Sequence, residues 1–247
     1  MHQIDLRLIF VGVMSTLLIG SIGCRAEVPV SPTNLAHTPP RVESNIELGT
    51  SSPAENKTSA ASFEIEPDFT LLKREQFDAF GAEPETWSQT DEGFACTGKP
   101  RGYLYSKVSY SNFTLKVDYR FAKPANLKDE SKFKGNTGFL MYITGDHKLW
   151  PASMEVQGKY AQIASIKENG GTSPVEAKDD ENARQLARKP LDEWNELEIV
   201  SKDGNLRVSL NGKLISESKA GELNEGPIGI QSEDYPFEVR HMRIRTE

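Results

Sequence analysis

Two cysteines, Cys24 and Cys96, and four scattered histidines, His2, His37, His147 and His241, are all that 247 residues contain of either type. A disulfide framework is therefore excluded. No Cys-x-x-Cys or His-x-x-x-His spacing occurs, so no compact zinc motif is present, and Asp179-Asp180-Glu181 reads as a charged surface run. Basic residues are also short, with 29 Lys and Arg against 36 Asp and Glu and a formal charge of −7. Without a basic stripe the chain has little to offer a phosphate backbone, which sets nucleic acid aside as a partner. An uninterrupted apolar run of about 20 residues is missing too, and with it any internal membrane span.

What is present begins with a targeting segment. Leu8 to Ile22 (LIFVGVMSTLLIGSI) is apolar, too short to cross a bilayer comfortably, and preceded by Arg7. It ends at Ser21-Ile22-Gly23-Cys24, which resembles the bacterial lipobox at which a new N-terminal cysteine is lipidated. Residues 1–24 are thus expected to be a lipoprotein-type signal peptide, with export to the periplasm or cell surface and a membrane anchor at Cys24; cleavage without lipid would release the protein instead. Residues 25–62 are dense in Pro, Ser, Thr, Asn and Ala without apolar period, a composition that cannot offset its own ordering entropy, and read as a disordered linker.

Residues 63–247 carry strand punctuation. Asn112 to Ala122 places Phe113, Leu115, Val117, Tyr119 and Phe121 on one face and Thr114, Lys116, Asp118 and Arg120 on the other. Asp203-Gly204 and Asn211-Gly212 suit hairpin turns with positive φ, so three consecutive antiparallel strands are expected from Trp194 to beyond Lys213. In Phe237 to Arg245 the apolar phase slips between Val239 and Met242, which calls for a β-bulge at Arg240 and His241. The best helical stretch, Asp179 to Arg188, is polar on most faces and reads as a surface excursion. Cys96, in the apolar run GFACTG, reads as a core residue. The pattern is all-β, a sandwich or jelly roll of antiparallel strands.

Six blocks in order, CTGKPRGYLYSKVSYSNFTLKVDYRF from Cys96, NTGFLMYI from Asn136, LWPASMEVQG from Leu149, EWNELEIV from Glu193, LNGKLI from Leu210 and GPIGIQSEDYPFEVRHMRIR from Gly226, resemble the 3-keto-disaccharide hydrolase family. The resemblance implies a concanavalin A-like jelly-roll β-sandwich of two antiparallel sheets and an activity on glycosides whose sugar bears a ketone at C3. Such a ketone acidifies the C2 proton, so a positioned base can form an enolate, the C1 oxygen departs, and water adds back. No cofactor is implied; a structural Ca²⁺ is compatible with the fold.

Site candidates follow from strand alternation together with that resemblance. Glu155 and Gln157 share a face, and the resemblance places this Glu-x-Gln block in the groove, with Glu155 as acid or base. His147, a proton-exchanging side chain, and Trp150, a stacking surface for a sugar ring, precede the same strand. Gln231 and Glu233 alternate onto one face of a late strand, Glu233 as a second catalytic carboxylate and Gln231 as a contact. Asn136, Tyr142 and Lys159 complete the substrate-binding set, with Arg101 and Tyr103 at the rim. Two positions depart from the family: Tyr142 stands where many members have Arg, and Tyr160 where a common version has Asp. Those losses favour the alternative of a non-catalytic carbohydrate-binding module using the same groove. A two-carboxylate glycosidase on unmodified glucan, with Glu155 and Glu233 as its pair, is a third option.

Overall fold

The computed structural model describes residues 63–247; the signal segment, Cys24 and the linker lie outside the described residues. The chain enters through β1 (Thr70–Leu71), β2 (Phe77–Phe80), β3 (Trp87–Gln89), β4 (Gly93–Cys96), β5 (Gly102–Tyr110) and β6 (Phe113–Phe121). It continues through β7 (Gly138–Thr144), β8 (Ala152–Gln157), β9 (Ile166–Asn169), β10 (Ala177–Asp179) and helix α1 (Glu181–Ala187). The last five strands are β11 (Asn195–Lys202), β12 (Asn205–Leu210), β13 (Lys213–Ser218), β14 (Gly226–Ser232) and β15 (Phe237–Thr246).

Two antiparallel sheets stack face to face. One runs β10-β13-β12-β11-β6-β15-β4-β3 with β1 added to β15, and the other runs β2-β5-β14-β7-β8-β9. The alternation of β6 translates directly into burial, since Phe113, Leu115, Val117, Tyr119 and Phe121 all face the interior. Opposite them lie Leu104, Phe139, Met141, Val156 and Ile230 of the six-stranded sheet. The β11–β12–β13 meander turns where expected: Asp203 and Gly204 have φ of 49° and 77°, Asn211 and Gly212 49° and 78°. The bulge in β15 falls between Arg240 and Arg243, with His241 at φ 50°. Cys96 is buried and unbridged, and burial pushes its thiol pKa up, the opposite of what a nucleophile needs.

Helix α1 is short and capped by Asp180, whose Oδ1 accepts from Ala183 N at 2.9 Å. It is tied down by Arg184, which is 4% exposed and donates to Ile163 O at 2.8 Å while pairing with Asp179. The outer face of the nine-stranded sheet is a lattice of matched charges. Arg120 pairs with Glu238 and Arg240 with Asp118, and the two guanidiniums cover the Trp194 ring at 4.4 and 4.3 Å. Buried Arg243 grips Glu66 through two hydrogen bonds of 2.6 and 2.8 Å, holding that carboxyl down at about 2 and fixing the N-terminal segment across β15. One concavity on this face is lined by Arg120, Glu238, Arg240 and Trp194, which are already engaged with one another.

Candidate functional site

Antiparallel pairing sets opposite residues on one face, so the register of the six-stranded sheet can be followed across its outer surface. One row reads Asp78, Tyr105, Gly229, Leu140, Glu155, Lys167 across β2, β5, β14, β7, β8 and β9. Its neighbour begins Phe80, Tyr103, Gln231, and Gly138 faces Gln157 at the other end. Aromatic side chains thus cover β2 and β5, while polar ones, Glu155 and Gln157 on β8 and Lys167 and Asn169 on β9, cover the other end. Over the acidic half lies a groove of about 410 Å³ lined by Asn136, Trp150, Glu155, Gln157, Glu168, Asn169, Gly170, Gln231 and Glu233.

Glu155 is 8% exposed at the floor of this groove. Desolvation, and next the charge of Glu233, raise its pKa to about 7, against partial opposition from Lys167 and the Gln157 amide. Gly138 makes its surroundings: a methyl on that α-carbon would meet both Glu155 Oε1 and Gln231 Oε1, so the two oxygens converge over the space the missing side chain leaves. Gln231 Oε1 is buried and otherwise unpartnered. A neutral Glu155 can donate to that oxygen, and the Gln231 amide turned over can donate its Nε2 to an ionised one, so the pair serves either protonation state.

Glu233 is differently held. Asn136 Nδ2 donates to its Oε2 at 2.6 Å, and Arg101 and Lys159 add positive charge nearby. Burial raises its pKa, and these three groups work against that rise. Arg101 is itself locked at the rim by Asp234. Asn136 Oδ1 is a second buried acceptor without a partner at the groove.

The structure thus brings together Asn136, Trp150, Glu155, Gln157, Gln231 and Glu233, with Lys159 half-buried beside them, its backbone N–H donating to Gln157 Oε1 at 3.0 Å. It separates two expected members. Tyr142 is fully buried, and its hydroxyl reaches Ser201 Oγ of the opposite sheet at 2.5 Å, so it is a core residue and no sugar contact. The reason is a break in alternation: β7 shifts register between Met141 and Thr144, Tyr142 takes φ 60°, and its side chain turns inward with that of Met141. His147 is exposed but lies over β5, its Nδ1 2.7 Å from Tyr103 Oη and its ring 4.3 Å from that of Tyr105. Its contacts are with the aromatic residues of β2 and β5, and it does not line the groove that holds Glu155. Tyr160, the other departure from the family, packs against Phe133 and hydrogen-bonds Glu130 at 2.8 Å.

Sequence reasoning missed Glu168 and Asn169, which line the groove from β9. Their signal was faint: a four-residue edge strand, Ile166 inward and Lys167 outward, before Gly170-Gly171. Among the described residues no three His, Cys, Asp or Glu side chains gather as a metal cage.

The buried acid makes a prediction about stability that is opposite in sign to ordinary core mutations. An unfolded Glu155 ionises above pH 4.5, while the folded one keeps its proton to about 7, so its contribution to folding worsens as pH rises between those values. Glu155→Gln is expected to match wild type near pH 4 and to exceed it by about 2–3 kcal/mol at pH 8. Denaturant titrations at the two pH values check this; equal stabilities at pH 8 would show that the carboxyl is not held neutral by the fold.

A family profile described as the 3-keto-alpha-glucoside-1,2-lyase-like domain matches residues 74–245. Among solved structures, a candidate glycosyl hydrolase from Parabacteroides distasonis ATCC 8503 is similar at TM-score 0.54 and 20% identity, covering 72% of this chain and 99% of its own. A second from the same organism aligns at TM-score 0.52 and 18% identity over 73% and 94% of the two chains. The carbohydrate-binding module CBM66 from Bacillus subtilis aligns at TM-score 0.50 and 13% identity over 69% and 96%. No curated protein matches the chain by sequence. These likenesses fix the fold as the concanavalin A-like jelly roll, and the profile, spanning most of the chain, makes this protein a member of the 3-keto-alpha-glucoside-1,2-lyase-like domain family.

Proposed function

We propose that the protein cleaves 3-keto-α-glucosides by elimination across C1 and C2, with Glu233 as base and Glu155 as acid. The observation that carries the assignment is the burial of Glu155 at the groove floor beside the second carboxyl, Glu233, which raises its pKa to about 7 and so favours a proton-bearing form. Glu233, whose pKa burial and Asp234 also raise but against the opposition of Arg101, Lys159 and the Asn136 amide, is assigned to accept a proton. Separating two carboxyls in this way divides acid from base work.

In a chair-form α-glucoside the C2 proton and the C1 oxygen are axial and anti, so the two groups act from opposite faces of the ring. Glu233 takes the C2 proton, the electron pair passes into the C3 ketone as an enolate, and Lys159 supplies positive potential for that charge. The enolate then expels the C1 oxygen, which leaves as an alcohol with the Glu155 proton, and a 2-hydroxy-3-keto-glycal remains. Trp150 offers an apolar wall for the ring, and Gln157 and Asn136 line the groove where hydroxyls would lie. Glu155, Glu168 and Glu233 line the groove, with Lys167 and Lys159 close enough to act on the first and last of them. Export, with a lipid anchor at Cys24 and residues 25–62 as tether, belongs to the same reading and is supported by the leader sequence.

The test is to incubate the purified chain with matched α-glucosides and their 3-keto derivatives and follow release of the alcohol. Cleavage confined to the keto compounds supports elimination. Cleavage of the unmodified glucosides would point to a two-carboxylate glycosidase, and saturable binding without cleavage to a carbohydrate-binding module.

A further inference from the structure

The aromatic half of the outer face is not idle, and the loop that crosses from it to the groove explains why. Residues 145–151 connect β7 to β8 and carry His147 near one end and Trp150 near the other. At the first end Tyr103, fully buried, meets His147 Nδ1 at 2.7 Å. The His147 ring also lies 4.3 Å from Tyr105 and is stacked with Phe80 at 5.8 Å. At the far end Lys148 Nζ donates to Gly170 O at 3.0 Å, and Asn169 Nδ2 donates to Pro151 O at 3.0 Å. A Cβ at Gly170 would run into the Pro151 carbonyl, so the two segments touch backbone to backbone.

We infer that Tyr103 and His147 are positioning residues that clamp the 145–151 loop across the sheet and so fix Trp150 as the stacking wall of the sugar groove. The loop has no helix or strand of its own, and without the Tyr103 anchor the side chain of Trp150 gains rotational and translational freedom that binding must then remove. That cost falls on ground state and transition state alike, so it is read in KM and not in kcat. His147 accordingly acts through Trp150 and carries no proton to the substrate.

Two measurements on the full chain test the clamp, the first independent of any activity. The protein has three tryptophans, Trp87, Trp150 and Trp194, so 5-fluorotryptophan labelling gives three ¹⁹F resonances, assigned through Trp150→Phe. Tyr103→Phe and His147→Ala are expected to shift or broaden the Trp150 resonance while the other two stay in place, and His147→Asn, which keeps an acceptor near the Nδ1 position, to restore it in part. An unmoved Trp150 resonance in both variants overturns the proposal, whether or not the chain proves to be a lyase. The second measurement rests on the proposed reaction: with methyl 3-keto-α-glucoside, Tyr103→Phe is expected to raise KM about fivefold with kcat within twofold, and to add nothing in a Trp150→Ala background. A hundredfold loss of kcat in His147→Ala, or additive effects with Trp150→Ala, would return His147 to proton transfer and sink the clamp.

Discussion

Glu155→Gln is expected to lower turnover of methyl 3-keto-α-glucoside about 10³-fold and that of the 4-nitrophenyl analogue, after subtracting its spontaneous elimination, by less than tenfold. The contrast follows from the role assigned to the carboxyl. Methoxide is a poor leaving group and needs a proton as the C1–O bond breaks; nitrophenolate leaves without one. Gln preserves the shape and can still donate to Gln231 Oε1, so ring binding should survive and KM should change little. The pH dependence carries the same signature. With Glu155 titrating near 7, wild-type kcat/KM on the methyl substrate should fall as pH rises through that value, because the acid form disappears. For the nitrophenyl substrate that alkaline limb should be absent. Equal and severe losses on both substrates would instead make Glu155 the base, with activity rising through pH 7.

The proton on Glu155 has a thermodynamic counterpart that ties function to stability. The same burial that keeps the carboxyl protonated costs folding free energy at neutral pH, so the catalytic defect and the stabilisation of Glu155→Gln should appear in one variant. A purely structural glutamate would lose both together.

How much of this was legible in the sequence depends on whether a feature is local. The alternation of β6 and the Asp-Gly and Asn-Gly turns are determined by neighbouring residues, and the strands and hairpins appear where those residues put them. Glu155 with Gln157, and Gln231 with Glu233, were legible for the same reason, since two residues apart in a strand means one face. Tyr142 was misread because its orientation depends on a bulge. A tyrosine at positive φ has no compositional mark, and the cause is the reach of its hydroxyl to Ser201 across the sandwich. His147 was misread because nearness in sequence to β8 suggested nearness to Glu155, whereas the loop doubles back over β5 to meet Tyr103. Glu168 and Asn169 belong to the groove through pairing of β9 with β8, a long-range fact that four residues of edge strand hardly announce.

Gly138→Ala should separate the site from the fold more sharply than any change to a carboxylate. The added methyl would collide with Glu155 Oε1 and Gln231 Oε1, both at the ends of flexible side chains, and would leave the strand backbone untouched. Gly138 is not at positive φ, and alanine in a strand is if anything easier to order than glycine by about 0.5–1 kcal/mol, so the melting temperature should hold or rise slightly. The two side chains must swing apart, however, and displacing an acid by about 1 Å costs on the order of 10²-fold in rate. Gly229→Ala, in the next strand of the same sheet, is the control. Its Cβ would sit 2.5 Å from Leu104 O and 2.8 Å from Ile143 Cδ1, and the carbonyl belongs to a paired strand that cannot turn away. That variant should lose stability by about 1–3 kcal/mol, the usual range for overpacking. Melting curves and kcat/KM measured on the pair decide the matter. Activity lost in a stable Gly138→Ala, beside stability lost in Gly229→Ala, would mean that one glycine serves the acid and the other serves the sheet, and a fully active Gly138→Ala would show that the meeting of Glu155 with Gln231 has no part in the chemistry.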